Sequence, residues 1–437
     1  VISRRKALAA ISQDEARLHV YEERLIYSGV IDMTSERNAA LVLFAGFLIL
    51  AVGFGARISF GVFLPSMPAE TGFTIASLSL VLAVQNLMWG AAQPFAGRLS
   101  DRFGAAPVVF FGAVLYAGGL AMTAMAENFW VFGMSAGLIL GVAQAAVGFP
   151  VLLGAIGRTA SDKRRGLYLG IATAGGSFGQ LVFSPVSQLF LQSFGLIDAF
   201  LAMAAVCLAA SALALVIRRE TRPTATQRAF IAAQPGENLK AVLGRAMTDR
   251  SFQLLIAGFF VCGFHLAFIA VHLPNFALVC GLSAAAGTAG LALIGAFNII
   301  GTITAGQISG TFRPKYPLSI IYALRGVAAM GLLIVPVTET VLLVFSAVIG
   351  LLWLSTVPLT SMTVAKLHGP NNVGMLFGIV FFSHQVGSFT GLVMAGEFYE
   401  MFGNYDAMWI ASAILGFAAA IVHLPIEDNR KLTPAGA

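Results

Sequence analysis

No aspartate or glutamate lies in the middle of any long apolar run of this 437-residue sequence. Charge of either sign is scarce, at 11% of residues, against the roughly 25% usual in soluble domains. Apolar runs of 18 or more residues recur along the chain, each long enough to cross a bilayer at ~1.5 Å per residue. A soluble two-domain enzyme is thereby excluded. Cysteine is nearly absent: Cys207, Cys262 and Cys280 lie in or beside apolar runs without metal-ligand spacing, and read as small buried hydrophobes. No paired carboxylates, triad order or phosphate-binding loop is found, so neither an enzyme nor a cofactor or metal site is expected. The net charge of +6 comes from residues scattered in short loops, which argues against a nucleic-acid partner and for a topology signal.

Twelve spans are expected, near 39–60, 76–96, 105–125, 129–154, 166–190, 196–217, 251–276, 283–308, 316–334, 338–362, 371–396 and 405–424. Of the 26 Lys and Arg residues, all but Arg57 and Arg325 then fall on one side of the membrane. The opposite loops carry Glu70, Glu127, Asp198, Glu339, Glu400 and Asp406 and no Lys or Arg. One missed or invented span would destroy this asymmetry, so it supports both the count and cytoplasmic termini. The organisation expected is an N-terminal cytoplasmic segment (1–38), a six-helix bundle (39–217), a cytoplasmic linker (218–250), a second six-helix bundle (251–426) and a tail (427–437). Six spans plus six is the pattern of a carrier built from two repeats with its site near the midplane.

Residues 1–38 hold no apolar core of signal-peptide length. Residues 1–32 read either as an extension upstream of Met33 or, over 5–27, as an amphipathic helix resting on the membrane or a protein partner.

Between spans two and three stands the charged island GRLSDRFG, residues 97–104. Gly97 and Gly104 permit close helix approach or positive φ. Asp101 is expected to cap the following helix and to pair with an arginine of a neighbouring helix end, with Arg98 and Arg102 completing a gate that holds one conformational state. An echo, GQISGTFRPK (306–315), follows span eight with Gly310 in place of the aspartate. This island resembles the G-x-L-[AS]-D-[RK]-x-G loop motif of the major facilitator superfamily, here followed by Ala105, Ala106 and Pro107 rather than a basic residue. RISFGVFLPSM (57–67), GFHLAFIAVHLP (263–274), YALRG (322–326) and GMLFGIVFFSHQVGS (374–388) further resemble the superfamily's bacterial monocarboxylate and oxalate:formate transporter branch, over about residues 39–424. The resemblance implies the major facilitator fold: an all-α membrane protein of twelve transmembrane helices in two six-helix pseudo-repeats, placed in a bacterial inner (plasma) membrane.

Ionisable groups inside a bilayer are costly and are functional candidates by default. Arg57, in span one, offers a permanent charge and a planar fork for a carboxylate; the plainer alternative is snorkelling to the outer headgroups. His265 in span seven and His384 in span eleven lie on helices that line the cavity in the resembled fold, and either could carry a proton or donate to an anion; each could equally be an interhelical packing group. His272, nearer the outer mouth, reads as a gate residue or an interfacial anchor. Arg325 in span nine reads as a packing group. Carboxylate transporters of the resembled branch commonly place a binding arginine in span eight, where this chain has Asn298 and no arginine. Gln85, Asn86, Gln144 and Gln180 could orient a substrate or join helices, and Pro185 is expected to kink span five.

The lack of a mid-span carboxylate argues against proton symport of a neutral solute. The expected function is secondary transport of a small organic anion, monocarboxylate-like, with a proton or a counter-anion as the second species. Two other readings are a soft-metal transporter of the same fold, suggested by Cys262 and His265 at i, i+3, and a non-transporting subunit or assembly factor.

Overall fold

The computed structural model describes residues 37–160, 164–217, 239–309, 311–369 and 373–429; the expectations for 1–36, 218–238 and 430–437 lie outside them. The described chain is helical with no strand. Among the described residues, eleven helices are long and apolar enough to cross a membrane. One of them, Leu167–Ile217, is 51 residues long, more than twice what a bilayer needs at ~20 residues per crossing. Gly195 breaks it with φ 82° and ψ 177°, a conformation that L side chains avoid, so the run is two antiparallel spans. Twelve crossings result, as the charge asymmetry requires.

We number them α1 (Arg37–Phe63), α2 (Ile75–Phe103), α3 (Ala105–Ala124), α4 (Phe129–Thr159), α5 (165–194), α6 (196–217), α7 (Arg250–Val279), α8 (Ala284–Ser309), α9 (Lys315–Ile334), α10 (Glu339–His368), α11 (Val373–Phe402) and α12 (Asp406–His423). Pro185 sits inside α5, whose helical backbone runs through it, and the non-helical residue of the run, Gly195, falls between the spans expected at 166–190 and 196–217. Three spans depart from a regular α-helical ladder: α4 has a π-helical turn at Gly133–Ile139 and a break at Val147–Gly148, α6 is interrupted at 212–213, and α10 between Leu352 and Thr356.

Across the two halves, α2 packs along α11 and α5 along α8. Their contacts stop part-way. On α2 and α11 they run from Ala76 N–H, which donates to Glu400 (3.3 Å), to the ring pair Trp89–Phe381 (centroids 5.6 Å apart). On α5 and α8 they run from Thr288–Gln188 (3.2 Å) to Asn298–Ser177 (2.7 Å). Beyond these points Gly97, Gly374 and Gly378, and likewise Gly170 and Gly306, have open space where a Cβ would stand. The halves are therefore closed from the middle to the face with acidic loops and parted toward the face with Arg98, Arg102, Lys315 and Lys366.

At the closed face α1 meets α7 so tightly that a Cβ on Gly61 would fall on the carbonyl oxygen of Ala270. Here His272 joins both halves, 3.2 Å from Ser79 of α2 and 2.9 Å from the Tyr405 hydroxyl, to which Asn275 also donates (2.8 Å). These contacts place His272 in the seal between the halves.

The charged island is not a loop. α2 continues through it to Phe103, and Gly104 alone turns the chain, at φ 89°. Asp101 therefore cannot cap α3, whose N-cap position is Gly104 without a side-chain bond. It pairs instead with Arg158 at the end of α4, at 3.4 Å, the neighbouring arginine the sequence calls for. In the echo the missing aspartate is supplied from far away. Asp428, with its side chain fully buried, accepts from Arg313 Nε (2.9 Å) and the Lys315 backbone N–H (3.2 Å), with Arg313 Nη2 at 2.8 Å. Asp428→Ala leaves a half-exposed arginine without its carboxylate, and we expect about 1–3 kcal/mol of lost stability, read as a lower thermal midpoint in detergent; an unchanged midpoint contradicts this anchoring.

Candidate functional site

The site builds from α1 and α2. Small residues let α1 approach its neighbours, and Gly53 packs against Val147 of α4. That proximity leaves Arg57 half-buried at the boundary of the two halves, one turn from the Gly61–Ala270 closure. Its Nη2 donates to Asn86 Oδ1 at 2.7 Å, and its guanidinium carbon lies 5.2 Å from the Trp89 ring centroid. Asn86 is held for this by its own Nδ2, which donates to the Leu82 carbonyl (2.8 Å). Among the described residues no carboxylate pairs with Arg57. One of its five N–H donors is thus committed to Asn86 and the rest remain for an acceptor.

Trp89 carries the site across the boundary of the two halves. Its ring meets Phe54 (5.7 Å) on its own side and Phe381 (5.6 Å) on the other. Phe381 stacks on His384 at 5.3 Å and 7°. A continuous line, Arg57–Trp89–Phe381–His384, therefore joins two of the expected residues through two aromatic rings. Trp89 and Phe381 were not expected from the sequence; an aromatic in an apolar helix carries no mark of which side it faces.

Gln85 lines a small space with Arg57, Asn86, Ala270 and Val271, while its Nε2 donates to the Ala136 carbonyl of α4 (2.8 Å). Gln144 is buried beside Gly53, and neither of its amide atoms finds a protein partner among the described residues. Asn298 is committed three ways: its Nδ2 donates to Ser177 of α5 (2.7 Å), and its Oδ1 accepts from Thr302 (3.0 Å) and from the Leu354 N–H in the break of α10 (3.0 Å). It ties the halves together. Asn298→Ala strands the Leu354 N–H and Ser177, and we expect about 2 kcal/mol of lost stability with a matching fall in thermal midpoint; Asn298→Asp, which keeps the acceptor, should recover part of it.

His265 turns away from the space between the halves, contrary to the expectation from the resembled fold. Its Nε2 donates to the Ser412 carbonyl (2.8 Å), and it lines a space with Arg325, Trp353, Trp409 and Ser412 inside the C-terminal bundle. The reason is rotational: Cys262 and His265 share the helix face toward α9, α10 and α12, while Gly263 presses on the His384 backbone carbonyl of α11. Cys262 also departs from the plain hydrophobe expected. It is fully buried, yet its sulfur contacts Arg325 and Thr356.

Two six-helix halves, closed together at one face, parted at the other and meeting at a polar midplane, define the architecture of a multi-pass membrane transporter. The chain belongs to the major facilitator superfamily, whose family model matches residues 43–392. It is similar to the "Uncharacterized MFS-type transporter YcxA" of Bacillus subtilis (strain 168), 26% identical over 91% of this chain and 98% of that protein. It is also similar to "Monocarboxylate transporter 11" of Homo sapiens, 28% identical over 88% and 82% of the two chains. Among solved structures, a bacterial homolog of the human lysosomal transporter Spinster in its inward-facing and occupied conformation aligns with TM-score 0.71 at 13% identity, covering 90% of this chain and 99% of that one.

Proposed function

We propose that this protein carries small monocarboxylate-like anions across a bacterial inner membrane by alternating access, in symport with a proton or in exchange for a second anion. The observation that carries this reading is Arg57: a cation at the boundary of the two halves, one turn from the closed face, with no acidic partner among the described residues, held by Asn86 and Trp89 with its remaining donors uncommitted. A guanidinium fork matches a carboxylate in shape and charge, and the Trp89 and Phe381 rings supply an apolar wall for a short carbon chain. Likeness to monocarboxylate transporters supports the same substrate class.

With the basic loops cytoplasmic, the parted face opens inward and both termini are cytoplasmic. His384, at the far end of the aromatic line, is the proton carrier of this reading; Asp101 with Arg158, flanked by Gly97, Arg98, Arg102 and Gly104, is part of the inner gate. A soft-metal cargo finds less support, since no three His, Cys, Asp or Glu converge among the described residues.

Trp89 offers a direct test. Titrating the purified protein with a panel of two- to four-carbon mono- and dicarboxylates should give a saturable change in tryptophan fluorescence, absent in Trp89→Phe. No saturable response to any of them would contradict an anion site beside Trp89.

A further inference from the structure

At the closed face the hydrogens of the polar side chains can be placed by elimination. The Ser79 hydroxyl donates its one hydrogen to the Ile75 carbonyl (2.6 Å), which can only accept. Its oxygen lies 3.2 Å from His272 Nε2 and is the acceptor there, so Nε2 carries a hydrogen. In a neutral imidazole the other nitrogen is then a bare acceptor. The Tyr405 hydroxyl, 2.9 Å from Nδ1, donates to it, while its oxygen accepts from Asn275 Nδ2 (2.8 Å). Four bonds thus run in one direction, from Asn275 through Tyr405, His272 and Ser79 to Ile75. The bond between His272 and Ser79 is the link of this chain that crosses from one half to the other. His272, Ser79 and Tyr405 are all buried.

This chain has no place for a second hydrogen on the imidazole. A proton on Nδ1 would face the Tyr405 hydrogen, and Tyr405 would lose its acceptor. It would also put a charge where none is balanced, which opposes burial. Among the described residues no carboxylate pairs with His272. On the elements packed around it, α2 from Ile75 to Asn86 and the whole of α8 hold no ionisable residue. On α1, Arg57 is engaged with Asn86 and Trp89. On α11, Glu400 accepts from the Ala76 N–H (3.3 Å), Tyr399 stacks on Tyr405 (centroids 5.2 Å apart), and Glu397 is exposed. Asp406, at the start of α12, is exposed as well. On α7 itself His265 and Cys280 each stand about two turns away.

We propose that Tyr405, His272 and Ser79 form a latch that closes only on a neutral imidazole, so that acid at the acidic-loop face holds the carrier open on that side. When the halves part, the His272–Ser79 bond breaks and the imidazole meets water. Nδ1 takes a proton from that water, one N–H bond forms, and the ring gains one positive charge. To close again, His272 must return the proton to the side it came from. It therefore gates turnover and carries no proton across. The latch is independent of the cargo and goes beyond the anion reading above.

The test uses full-length protein with Cys280 replaced by serine and spin labels on Glu127→Cys and Glu339→Cys. Both positions are exposed, on the acidic-loop face, in opposite halves and apart from the latch. Pulsed electron resonance reads the distance between the labels as pH falls from about 8 to about 5, the range in which imidazole titrates. A proton bound by the open form alone lowers the closed-to-open ratio by about tenfold per pH unit once it binds. The shorter distance should dominate at neutral pH and give way to the longer one in acid. His272→Gln keeps a neutral donor and acceptor, and its distances should be the same at every pH. Tyr405→Phe leaves Nδ1 without its donor, and its open fraction should already be raised at neutral pH. A parent distribution that ignores pH would overturn the latch, and so would an acid-induced shift that survives in His272→Gln. Should His272→Gln not fold, Ser79→Ala decides: loss of the cross-half acceptor should raise the open fraction at neutral pH, and an unchanged fraction would overturn the proposal.

Discussion

Arg57→Ala should weaken carboxylate binding by about 10- to 100-fold, the loss of hydrogen bonds to a charged group at about 1.5–3 kcal/mol. The side chain makes one protein hydrogen bond, to Asn86, and stacks near Trp89, so its removal strands one amide oxygen and opens little space. Folding should survive, with a thermal midpoint close to that of the parent. Arg57→Lys separates charge from shape: a lysine keeps the cation but presents a point charge in place of a fork, and binding should fall between parent and alanine. Equal binding by parent and Arg57→Ala would remove this residue from the site.

The second large effect concerns the closed face. A Cβ at Gly61 would fall on the Ala270 backbone carbonyl, and backbone cannot swing aside as a long side chain can. Gly61→Val should therefore prevent α1 from seating on α7 and favour a conformation open at the acidic-loop face. Each half keeps its own packing, so the protein should still fold. Carboxylate exchange should drop to background, and a cysteine placed at Ser79, buried beneath the seal, should become reactive to a membrane-impermeant thiol reagent from that face. Normal exchange together with an unreactive Ser79→Cys would contradict the seal as described.

Much of the fold was legible in the sequence because bilayer thickness and charge placement act on whole segments. The acidic and basic loops alternate with each crossing, so the twelve-span count follows although one pair of spans runs on with a single non-helical residue, Gly195. The island at 97–104 was misjudged in form for an equally physical reason. Its charges look like a loop, but an aqueous face lets a helix extend past the membrane with polar residues on it, as α2 does through Arg98 and Asp101.

The site was less legible, since facing depends on helix rotation. Arg57 and His384 could be named as membrane-embedded polar groups, yet nothing in their spacing reveals that Trp89 and Phe381 link them. His265 was placed in the cavity by analogy with the resembled fold, and the close approach of Gly263 to α11 turns it into the bundle instead. Cys262 was read by its usual behaviour as a hydrophobe, because Arg325 and Thr356, which surround it, are 63 and 94 residues away in sequence.

The most direct measurement is uptake of labelled small carboxylates into proteoliposomes, with and without an imposed pH gradient, for the parent protein and Arg57→Ala. Saturable uptake that is lost in Arg57→Ala is the predicted result, and stimulation by the gradient would select symport over exchange. Absence of saturable uptake by the parent across the carboxylate panel, or equal uptake by both proteins, would contradict an anion carrier whose site is built on Arg57.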